Sequence, residues 1–214
     1  MLLFVLVEED DGFKQQYLSI SMERRGYDYY EEHAPNVKLE DITSSIYNAQ
    51  LLQWIRDDNP EWNPKAISLS EYEMEEYEFC VREGDDLGWV GYFIGKSDVL
   101  KELRIQYIPS ETTQLDEFIG GLNRNQSIEK LNIMNDSILE KIGPLFRINK
   151  NLTDLNLQEF SIGQDSARNI ASMLDDATLE NISFEHNNLG EEEFEVIATA
   201  LGRQTKAKVK LECN

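Results

Sequence analysis

The residues of this 214-residue chain whose types could do chemistry are few: His33 and His186, Cys80 and Cys213, and five glutamates between Glu71 and Glu78. His186 and Glu159 fall on neighbouring predicted strands, where an acid and a base could exchange a proton, although a surface contact pair is the ordinary expectation. Two histidines give a zinc site or a histidine-based triad few candidates. The cysteines stand 133 positions apart and make neither a zinc spacing nor a disulfide framework. A reducing compartment, the cytoplasm, is therefore expected. The run Glu71, Glu73, Glu75, Glu76 and Glu78 lacks the alternating Asp/Asn and central glycine of a calcium loop, so a solvated acidic loop or helix face is expected. No G-x-x-x-x-G-K-[ST] run is present to cradle phosphates. The expectation is a chain without enzymatic activity, cofactor or metal.

Charge narrows the partners. The chain carries 41 acidic and 20 basic residues, a formal charge of −21. Residues 1–98 hold 22 acids and 8 bases, and residues 99–214 hold 19 and 12. Such a field repels phosphate backbones and anionic membranes, so no nucleic acid and no membrane partner is expected. A basic protein would be favoured in encounter rate and orientation. Met1–Val7 is apolar but lacks a basic leader and a cleavage site, and it is far too short to span a bilayer. Four N-x-S/T sequons, at Asn125, Asn135, Asn151 and Asn181, carry no meaning without a secretory signal.

The elements that position these residues come from a repeat. Leu100, Leu103 and Ile105 open one unit; Ile128, Leu131 and Ile133 the next; then Leu152, Leu155 and Leu157; then Leu179, Ile182 and Phe184. The first positions are 28, 24 and 27 residues apart. Alternation at the last two positions predicts a strand. A second stripe predicts a helix in each unit: Leu115, Phe118, Ile119 and Leu122; Ala167, Ile170, Ala171 and Leu174; Phe194, Ile197, Ala198 and Leu201. In the short unit the stripe comes four residues early, as Leu139, Ile142, Gly143 and Phe146, so one deletion explains both features. Gly120-Gly121 sits in a helical stripe, where close helix–sheet packing is the simplest reason for it. Upstream, Ile67 and Leu69 predict a strand, and Leu87, Val90, Gly91 and Ile94 its helix, with Trp89 between stripe positions and partly exposed. Downstream, Val209 and Leu211 predict a last strand.

The organisation expected is an acidic, aromatic segment over 1–38, with one helix over about 12–25 and no assignment for 27–35. A helical cap follows over 39–63, with its helix from Leu39 to Trp54, and a repeat array over 64–214. One unit cannot bury its apolar side alone, so stacked units form a right-handed α/β solenoid, with a parallel sheet on the concave face and helices on the convex face. Trp54, Trp62 and Trp89 are expected in the core and cap. The residues between and after the strand's core positions point away from the core. They are Arg104, Gln106 and Tyr107; Asn132, Met134 and Asn135; Asn156, Gln158 and Glu159; and Ser183, Glu185 and His186. These are the candidate partner-binding residues.

The unit from Leu179 to Leu201 carries L-x-x-I-x-F-x-x-N-x-L followed by G-x-x-x-F-x-x-I-A-x-A-L. It resembles the ribonuclease-inhibitor-like leucine-rich repeats, and the likeness extends over about residues 60–214. The segment Asp86–Ser97 resembles leucine-rich-repeat proteins of microalgae. The resemblance implies a protein-binding scaffold that uses the concave face. A regulator of a small GTPase, activator-like, or a piece of a larger repeat protein are the alternatives it leaves. One departure stands out: the family's ninth-position asparagine is matched only by Asn187, the other units having Tyr72, Ile108, Asp136 and Phe160. The last strand has no helix after it, so a monomer with a frayed end is expected, with a dimer closed through that strand as the alternative.

Overall fold

The computed structural model describes residues 25–59, 61, 66–70, 78–82, 84–106, 108, 114–134, 136–139, 141–158, 160–176, 179–184, 187–203 and 208–211. Its centre is one seven-stranded sheet. The strands are β1 (Ala66–Ser70), β2 (Glu78–Cys80), β3 (Glu102–Ile105), β4 (Lys130–Ile133), β5 (Asp154–Leu157), β7 (Asn181–Phe184) and β9 (Lys208–Leu211). Every pairing is parallel, and the order is β2-β1-β3-β4-β5-β7-β9. From β1 onward each strand therefore lies beside the previous one, with β2 added outside β1. Two short strands, β6 (Ser161–Ile162) and β8 (Asn188–Leu189), pair separately.

The register aligns the predicted apolar positions. Ile67, Leu103, Leu131, Leu155, Ile182 and Val209 form one row across the sheet. Leu69, Ile105, Ile133 and Leu157 form the next row. All but Val209, whose side chain is not described, are buried. Across from them lie helices α3 (Leu87–Lys96), α4 (Gln114–Leu122), α5 (Asp136–Leu139), α6 (Gly143–Ile148), α7 (Gln164–Asp176) and α8 (Glu191–Leu201). Their apolar stripes join the strands in one continuous core. The short unit carries two helices where one is predicted. Pro144, at the start of α6, cannot continue α5, because proline lacks the N–H and its ring clashes with the preceding turn.

The N-terminal part differs most from expectation. The unassigned stretch contains α1 (Tyr27–His33), and the predicted cap helix is a 3-10 turn (Leu39–Asp41) followed by α2 (Ile46–Arg56). Ser45 caps α2 by accepting from the Asn48 amide. The helix expected over 12–25 lies almost wholly outside the described residues. The acidic stretch ends in a strand, β2. Asn48 closes the outer edge of β2: its Nδ2 donates to the Cys80 carbonyl at 2.8 Å and its Oδ1 accepts the Cys80 amide at 3.1 Å. A sheet edge is thereby partly satisfied without another strand.

Two packing expectations are corrected. Trp89 is buried, 4% exposed, in an aromatic cluster with Tyr29, Tyr30, Tyr92 and Phe93. Helix α1 supplies its lid, which the sequence did not reveal. Gly121 serves a helix–helix contact and not a helix–sheet one. A methyl group on Gly121 would overlap the Gly91 backbone, and one on Gly91 would overlap the Phe118 backbone. Helices α3 and α4 thus meet backbone to backbone.

Candidate partner-binding face

Because strand side chains alternate, the buried rows leave a second set of residues on the opposite side of the sheet. Their register gives three rows. The first is Glu102, Lys130, Asp154 and Asn181, continued on β9 by Lys208; the second is Arg104, Asn132, Asn156 and Ser183, continued by Lys210. Gln106, Met134 and Gln158 follow one residue beyond the paired strand ends. These rows line an open cavity of about 720 Å³.

The structure brings together the predicted residues Arg104, Gln106, Asn132, Met134, Asn156, Gln158 and Ser183 on this cavity. The others, Tyr107, Asn135, Glu159, Glu185 and His186, lie outside the described residues, as do Glu71–Tyr77. Prediction omitted Glu102, Lys130, Asp154 and Asn181, which belong to the first row of the same face. They sit one position before the central strand residue, and the same alternation that selected Arg104 and Asn132 selects them.

The floor is held by its own polar contacts. Glu102 accepts from Arg104 Nε at 2.9 Å and from Asn132 Nδ2 at 3.3 Å. Asp154 accepts from Asn181 Nδ2 at 2.8 Å and from Thr153 Oγ1 at 2.6 Å. The residues that line the cavity carry Arg104 and Lys130 against Glu102 and Asp154, a net charge of zero on a chain of −21. Asn156 Oδ1 and Ser183 Oγ, side by side in register on β5 and β7, are shielded from solvent and have no hydrogen-bond partner among the described residues. A buried polar atom without a partner costs about 1–3 kcal/mol.

Polar contacts elsewhere are structural. Arg25 reaches Asp86 at 2.8 Å and Glu117 at 3.3 Å, and Tyr30 Oη donates to Glu117 at 2.5 Å. Burial opposes the Arg25 charge, but Asp86, Tyr30 and Glu117 more than offset it and hold the guanidinium above its ordinary range. Burial and the Glu117 bond push the Tyr30 phenol up. His33 is exposed on α1, stacked on Tyr29 with its Nδ1 2.7 Å from the Tyr29 carbonyl oxygen. Cys80 is buried. Among the described residues no group of three or more His, Cys, Asp or Glu side chains could hold a metal ion, and no helix is long and apolar enough to cross a membrane.

The fold and face define a mixed α/β protein with a repeat-like parallel sheet, helices on one side and a polar face open on the other. No family model matches the chain, and no curated protein matches it. Among solved structures it is similar to one named leiomodin-1 actin-binding site 2, at 18% identity and a TM-score of 0.52. The likeness covers 75% of this chain and 90% of that one. At that identity it speaks to the fold alone.

Proposed function

We infer that this chain is a leucine-rich-repeat module of the ribonuclease-inhibitor-like kind, a right-handed α/β solenoid that binds a protein partner on its open sheet face. The observation that carries the reading is the face itself: three rows of mixed residues whose charges balance where they line one continuous cavity. A face rich in amides, with Met134 and Arg104 among them, offers adaptable hydrogen bonding and apolar contact together. In this reading the chain is a scaffold or regulatory module and not an enzyme. The balanced charge of the cavity lining supports a partner chosen by shape and hydrogen bonds over one chosen by positive charge.

The solved neighbour is named for an actin-binding site, so monomeric actin is the first protein to try. The test compares the purified chain with the triple variant Arg104→Ala, Asn132→Ala, Gln158→Ala. Arg104 is exposed and Asn132 and Gln158 are half-buried; the variant loses both hydrogen bonds to Glu102, at about 0.5–1.5 kcal/mol each, so its melting curve is compared with that of the wild-type chain. A protein that binds the wild-type chain should bind the variant at least about tenfold more weakly, a loss of about 1.4 kcal/mol. Equal binding by both would place the site elsewhere.

A further inference from the structure

The charged groups of the sheet face are unequally occupied. Glu102 accepts from Arg104 Nε at 2.9 Å and from Asn132 Nδ2 at 3.3 Å. Asp154 accepts at both oxygens, from Asn181 at 2.8 Å and from Thr153 at 2.6 Å. Two neutral acceptors, Asn156 Oδ1 and Ser183 Oγ, are shielded from solvent and so closed to a ligand. The cationic donors are open. The exposed Lys130 side chain makes no hydrogen bond or ion pair among the described residues. Arg104, also exposed, uses only Nε, which leaves both terminal nitrogens of its guanidinium. Arg104 is paired in register with Asn132, and Lys130 lies two residues before Asn132 on the same strand. Strand spacing puts the Arg104 and Lys130 Cα atoms about 8 Å apart, so the two long side chains can close on one group between them. The register adds a second asymmetry. From β2 to β9 the first two rows hold four basic residues, Arg104, Lys130, Lys208 and Lys210, against three acidic ones, Glu78, Glu102 and Asp154. Four less three is a net charge of +1 on a chain of −21.

We propose that the partner anchors on this face through the carboxylate of an aspartate or glutamate side chain, held by Lys130 and Arg104; this rests on the reading that the face binds protein. Charge-assisted hydrogen bonds are roughly twice as strong as neutral ones, so such a group fixes the orientation of the whole partner. One negative charge suits the place better than a phosphate dianion, because Glu102 and Asp154 flank Lys130 in register and repel a second charge. The amides of Gln106 and Gln158, which also line the cavity, serve the partner's neutral groups. Salt screens the contact and the repulsion from the acidic rest of the chain together, so the two effects oppose each other.

The test selects a phage-displayed library of random peptides on the immobilised full chain. Attraction to a chain of −21 as a whole enriches lysine and arginine, whereas this site enriches aspartate and glutamate. Selected peptides are then titrated by fluorescence polarisation. Lys130→Gln removes an exposed side chain with no described contact to lose, so the variant keeps the fold. Acidic peptides should bind it at least about fivefold more weakly than the wild-type chain, and bind Lys38→Gln, the same loss of charge in the cap, equally well. Changing the peptide's acidic residue to its amide should cost about fivefold with the wild-type chain and less than about twofold with Lys130→Gln. Peptides that lose affinity for the triple face variant, yet show no acidic enrichment and no dependence on Lys130, overturn the carboxylate and leave the reading of the face intact. Peptides indifferent to every face variant overturn both. Displacement by inorganic phosphate, and not by chloride at equal ionic strength, would overturn the proposal by making phosphate the ligand.

Discussion

Asn125, fully buried, donates to the carbonyls of Ile94 and Ser97 and accepts from the amides of Ser127 and Ile128. Asn149 does similar work one unit on, with bonds to the Ile128 carbonyl and the Asn151 amide, and Ser97 one unit back, accepting from the Val99 and Leu100 amides. Each stands three residues before the first apolar position of its unit. Asn125→Ala should cost about 2–3 kcal/mol in urea unfolding, because the Ser127 and Ile128 amides lose their acceptor inside the core, while the Ser97 and Ile94 carbonyls keep the Ser127 hydroxyl and the Ser97 amide. In the sequence Asn125 reads as a sequon, and the changing residue type at this position hides the ladder. Asn187 is the opposite case: legible from the repeat, and found buried, donating to the Leu157 carbonyl and accepting from the Phe160 amide, both at 2.8 Å. Asp85 offers a pH test. Burial pushes its carboxyl above the ordinary value of 3.8, and hydrogen bonds from Thr43 and the Arg82 amide offset this only in part. The folded state then holds the proton more tightly than the unfolded state. The associated stability is present below pH 3.8 and is lost as pH rises through the folded value. The difference in unfolding free energy between Asp85→Asn and the wild-type chain should therefore grow with pH above that point. A difference constant from pH 3 to 7 would contradict the assignment.

The strands from Ile67 to Leu211 were legible because apolar residues at fixed spacing have one face to bury, and pairing in register then follows. Elements whose cause lies in a distant partner were not. Strand β2 closes an acidic stretch and is held by β1 on one side and Asn48 on the other. Helix α1 is fixed by packing of Tyr30 on Trp89 and Tyr92. Pro144 was a visible signal for the break between α5 and α6, outweighed by the helical stripe around it. The helix pair α3–α4 allows a paired prediction. Gly121→Ala should destabilise by about 1–3 kcal/mol, since its methyl meets the Gly91 backbone and the helices must separate. Gly120→Ala, with nothing within 4 Å of its Cβ, should stabilise by about 0.5–1 kcal/mol through helix propensity. Equal effects at the two positions in thermal melts would mean the helices do not cross there. Leu155→Asp, in the middle of the sheet at 2% exposure, should abolish cooperative unfolding, because nothing in its row can pair a charge.

At the scale of the whole molecule, a chain of −21 carries a sheet face whose cavity-lining residues balance in charge. The charge therefore resides mainly outside the face, where it opposes compaction. The melting temperature should rise as NaCl is added, while equilibrium binding through the sheet face should change little over the same range. Of the eleven row residues on the cavity, seven follow from strand alternation counted between and after the core positions; the four of the first row precede the central core position, where the leucine pattern gives no outward-facing slot. The partner's identity is not written in the face, since amides and hydroxyls select by shape. The most direct test of the central claim is photo-crosslinking in cells that express the chain with benzoylphenylalanine at Asn132 or Gln158 on the sheet face, or at Arg168, exposed on α7. The account predicts a discrete protein adduct from Asn132 and Gln158 and none from Arg168. Adducts from Arg168 with both sheet positions silent would contradict it.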